Sequence, residues 1–66
     1  MLNMERYFNE HVKLDVVTDN KVYTIQGKII DANANITKLA TYKHKKVTTR
    51  YIDNDKIVGI EVITLL

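Results

Sequence analysis

A chain of 66 residues and 7.7 kDa has room for one small domain, 1–66, which would bury only about 60% of the surface its unfolded form exposes. Hydrophobic residues make up 45% and charged residues 27%, an ordinary globular balance that excludes a collagen-like or wholly disordered chain. With no Cys and only His11 and His44, the chain offers no disulfide framework and too few ligands for a structural zinc site.

The first segment places Met4, Tyr7, Phe8 and His11 on one helical stripe behind Asn3, a good N-cap, and predicts a short helix over residues 3–10 with Met4 and Phe8 facing the core. From Val12 the period changes to two. Val12, Leu14 and Val16 alternate with Lys13 and Asp15 as in a half-buried strand, and Asp19-Asn20 tolerate the left-handed backbone of a tight hairpin turn. A long second strand is predicted over 21–32, with Gly27 as the point of a sharp bend. The run Asp31-Ala32-Asn33-Ala34-Asn35 ends it. Further strands are predicted over 36–42, 47–52 and 57–64, with a turn at Asp53-Asn54-Asp55 and an apolar end at Leu65-Leu66.

A helix and five strands joined by short turns, one strand long and bent, predict a mainly β fold. It is a strongly bent SH3-like or Sm-like barrel, closed or nearly closed, with few edges left to pair with other chains. Its expected core is Phe8, Leu14, Val16, Val22, Ile29, Ile36, Ile52, Ile57, Ile60 and Val62.

The net charge of +2 conceals a segregation. Lys38, Lys43, Lys45, Lys46 and Arg50 occur within thirteen residues that contain no acid, whereas the rest of the chain sets five cations against eight acids, a balance of −3. Tyr42 and Tyr51 flank this stretch. Cations that release phosphate counterions, next to rings that stack on bases, fit an RNA or DNA partner. The plainer explanation is a solvated hairpin tip whose lysines keep a strand edge from pairing.

Catalytic patterns are missing. The sequence contains no phosphate-binding glycine loop, no Cys and no Ser. Asp53 and Asp55 could share acid-base work or a divalent cation, but turn formation accounts for them more simply. The expectation is a protein that is not an enzyme and needs no cofactor or metal.

The order of elements and the two turn motifs resemble the Sm-like family of Sm, LSm and bacterial host-factor RNA-binding proteins. The first Sm motif is similar to Val22-Tyr23-Thr24 continuing into Asp31 and Asn35, with an apolar residue, Ile36, after the Asn. The second is similar to Ile52-Asp53-Asn54-Asp55-Lys56-Ile57, with Asp53 where the family has Arg and Asn54 where it has Gly. The small YolD-like bacterial proteins are similar as well. The resemblance implies a small barrel that binds RNA or assembles through its edge strands, and an acid at position 53 that opposes phosphate at the inner site.

Two functions follow as expectations. One is weak, sequence-relaxed RNA or DNA binding through Lys38, Tyr42, Lys43, Lys45, Lys46, Arg50 and Tyr51. The other is a protein-interaction adaptor without nucleic-acid activity. No stretch approaches the roughly 20 apolar residues of a membrane span, and MLNMERYFNE lacks a signal peptide's apolar segment, so a cytoplasmic place is expected. Eight Lys against two Arg, with eight Ile and six Asn, suggest AT-rich codons, as in a low-GC bacterium or its mobile elements. A monomer or dimer is expected over a hexameric or heptameric ring, because the basic fourth strand would crowd like charges around a pore.

Overall fold

The structure, a computed structural model, describes residues 3–64. The β-branched alternation forms β1 (His11–Thr18), β2 (Lys21–Ala32), β3 (Ile36–Lys43), β4 (Lys46–Asp53) and β5 (Ile57–Val62). All neighbours pair antiparallel in one five-stranded sheet of order β4-β3-β2-β1-β5. No ladder joins β4 to β5 among the described residues, so the sheet is open and both terminal strands keep an unpaired edge. Leu65 and Leu66 lie outside the described residues.

Short turns set the registers. Asp19 and Asn20 have φ of 49° and 65°, and His44 and Lys45 have φ of 52° and 65°. Two successive left-handed residues make turns whose twist matches that of the flanking strands. β1–β2 and β3–β4 are accordingly regular over eight cross-strand pairs each. Gly27 is where the sheet bends. A Cβ there would collide with the Ala40 carbonyl and lie 2.9 Å from Leu39 Cγ, so the close approach of β3 requires glycine.

The inner face is closed by Met4, Val12, Leu14, Val16, Ile25, Ile29, Leu39, Ile52 and Ile57. Four residues expected in this core are exposed instead: Phe8, Val22, Ile36 and Val62. Val22 stands an odd number of residues from Ile25 and Ile29, which face inward, and its cross-strand partner is the outward Val17. Ile36 is likewise one residue out of phase with the buried Thr37 and Leu39, and pairs with Asp53. Val62 pairs with buried Val12 but lies at the open end of the edge strand.

Phe8 is exposed because the predicted helix is a single four-residue 3-10 turn, Met4–Tyr7. Nucleating a helix costs more than so short a segment recovers. Asn3 does cap it, accepting from the Glu5 N–H at 3.2 Å. Asn9 then takes a left-handed φ of 67° and donates to the Ile29 carbonyl at 2.8 Å, clipping the segment to β2. Met4 is thereby pressed into the core while Phe8 points away.

Candidate functional site

The basic stretch forms the β3–β4 hairpin, which projects past the core. β4 from Lys46 to Tyr51 is exposed throughout. Register and alternation divide the expected contact residues between the hairpin's two faces. Lys43 pairs with Lys46, Thr41 with Thr48 and Leu39 with Arg50, so Lys43, Lys46 and Arg50 continue the inner face beyond the core. Lys38 pairs with Tyr51 and Tyr42 with Val47, on the outer face. Lys45 occupies the turn.

Tyr51 and Lys38 are engaged with each other, the ammonium lying 5.5 Å from the ring centroid in a cation–π contact. Tyr42 stays 64% exposed. A strand of nucleic acid lying on the inner face therefore meets cations, whereas one on the outer face meets the tyrosines. Alternation also places Lys13, Lys28 and Gln26 on the outer face, since Ile25 and Ile29 face inward. The sequence reading left these residues out, although the period of two could have found them.

The two motif-like segments do come together, at the other end of β3. The side chain of Asn33 accepts from the N–H groups of Asn35 and Ile36, each at 2.8 Å, and shapes the β2–β3 connection. Asn54 opens the 3-10 turn Asn54–Lys56, and its N–H donates to the Asn35 carbonyl at 2.9 Å. Its side-chain amide donates to the Asn33 carbonyl at 2.8 Å and accepts from the buried Thr37 hydroxyl at 2.6 Å.

Asp31 accepts from the Ala32 N–H, and Asp53 lies 3.8 Å from Lys56 in an exposed ion pair. Such pairs contribute little. Asp55 is exposed beside it. These polar residues thus close loops onto each other. Among the described residues no group of three or more His, Asp or Glu is placed to hold a metal ion, and no helix is long and apolar enough to cross a membrane.

No family model, curated protein or solved structure matches the chain.

Proposed function

We propose that the protein is a small non-catalytic binding module, a bent barrel of the SH3-like or Sm-like kind, whose β3–β4 hairpin takes single-stranded RNA or DNA weakly and with relaxed sequence preference. One observation carries this reading: Lys43, Lys45, Lys46 and Arg50 are exposed on a projecting hairpin with no acid in register opposite them. Among the described residues the ion pair that forms uses other side chains, Lys56 and Asp53. Unpaired cations on a projecting ribbon reach phosphates without a steric barrier, and nothing there reads base edges in the way sequence specificity requires.

The experiment is fluorescence anisotropy of a labelled single-stranded oligonucleotide at low salt, with wild type and the triple variant Lys43→Glu, Lys45→Glu, Lys46→Glu. Binding by the wild type and its loss in the variant support the proposal. No binding by the wild type removes it.

The adaptor reading then takes its place. It is favoured by the exposed apolar side chains Tyr42, Val47 and Tyr51 on the outer face and by the free edges of β4 and β5, where a partner's strand could add to the sheet. In either case we read the assembly as a monomer or dimer, working in the cytoplasm.

A further inference from the structure

β2 and β3 part company at the bend. Their ladder ends at Lys28 and Ala40, yet β2 goes on pairing with β1 as far as Lys21, and β3 with β4 as far as Lys43. The two ribbons diverge from Gly27 and leave a V-shaped fork. A cavity of about 180 Å³ sits in it, lined by His11, Val12, Gln26, Gly27, Tyr42 and Ile63. The Ile63 N–H donates to the His11 carbonyl at 2.8 Å, which holds that wall in place.

The fork has three properties. Its volume is well below the roughly 300–1,000 Å³ of a site for a drug-sized ligand, which leaves space for a single small ring system. One wall is the exposed ring of Tyr42, and the others bring the amide of Gln26 and the imidazole of His11, side chains that offer both donors and acceptors. Cations stand nearby: Lys28 is the cross-strand partner of both His11 and Ala40, and Lys43 follows Tyr42. A planar heterocycle with a polar edge and an attached phosphate meets all three.

We propose that this fork is a nucleobase site. An unpaired base stacks on Tyr42, its edge hydrogen-bonds Gln26 and His11, and the adjoining phosphate lies toward Lys28 or Lys43. The site is separate from the Asn33–Asn54 loops, which lie at the opposite end of β3. The inference rests on the reading that the hairpin binds a nucleic-acid strand, and it adds a base-dependent contact to an otherwise electrostatic one.

The test compares a single-stranded oligonucleotide with an abasic oligomer of equal length and charge, at low salt, on the full chain. Stacking on one aromatic side chain predicts that the base-containing strand binds about fivefold to a hundredfold more tightly. Tyr42→Ala should remove this difference, Tyr42→Phe should keep it, and Tyr51→Ala, whose ring is already covered by Lys38, should leave it unchanged. The chain has no Trp, so a Tyr42→Trp variant gives an independent signal: its fluorescence should be quenched by the base-containing strand and not by the abasic one. Equal affinity for both oligomers, or a difference that survives Tyr42→Ala, overturns the nucleobase site while leaving the electrostatic reading intact. Failure of both oligomers to bind overturns the two together.

Discussion

Gly27 and Ala40 meet across the bend of the sheet so closely that a Cβ on the first would overlap the carbonyl oxygen of the second. The obstructing atom is backbone, and Leu39 beside it is fully buried, so neither neighbour can rotate away. Gly27→Ala should therefore destabilise the protein by about 2–3 kcal/mol, the range of overpacked cores. In urea unfolding the midpoint should fall with little change of slope. A variant as stable as the wild type would show that β2 and β3 do not approach as described.

Asn54 is the junction between the β2–β3 connection and the start of β5. Its amide is the partner of the Thr37 hydroxyl, which is fully buried. Asn54→Ala leaves that hydroxyl without its partner and should cost about 1–3 kcal/mol. Thr37→Val should cost less, because the amide of Asn54 is half-buried and keeps its bond to the Asn33 carbonyl. Chemical denaturation of the two variants gives the comparison, and a larger loss from Thr37→Val would contradict it.

Strand boundaries were legible because the turn residues announce themselves: Asp19-Asn20 stands where β1 ends, and Lys21 to Ala32 reads as one strand. Facing was legible only where alternation is uninterrupted, as from Val12 to Val16. In β2 the register shifts between Ile29 and Asp31, so counting in twos across that bulge assigns the wrong face. The same limit applies to the candidate interface. Tyr42 and Lys43 are neighbours in sequence, yet a strand sends them to opposite faces, and the basic cluster splits once His44-Lys45 is fixed as the turn. The Asn33–Asn54–Thr37 contacts were not legible at all, since they depend on two loops distant in sequence coming together.

The split has a measurable consequence for binding. If the inner-face cations carry the electrostatic term, three to four phosphate contacts are made, and the logarithm of affinity should fall with that of salt with a slope of about −2 to −3 on a single strand. Arg50→Gln should reduce the slope by about 0.7. Tyr42→Ala should change affinity and leave the slope alone. Anisotropy titrations across a salt series separate the two, and a slope insensitive to Arg50 would place the phosphates elsewhere.

The edges of the sheet are protected unequally. β4 carries Lys46 and Arg50, cations that oppose pairing with another copy of itself. In β5 the only charge is Glu61, and Val58 and Val62 are 60% and 45% exposed. Its protection is geometric: the β1–β5 register runs Asp15 to Gly59 and then Val16 to Ile57, so Val58 is bulged and the regular edge shortens to Gly59–Val62. So short an edge supports weak pairing with one neighbour better than a closed ring. Light scattering should accordingly give a mass between one and two times 7.7 kDa. Val62→Lys, which puts a charge on the regular part of that edge, should move the equilibrium to monomer with a stability change within about 0.5 kcal/mol, as for an ordinary surface substitution. A hexamer or heptamer in the wild type would refute the argument and would mean that the bulge at Val58 does not limit the edge.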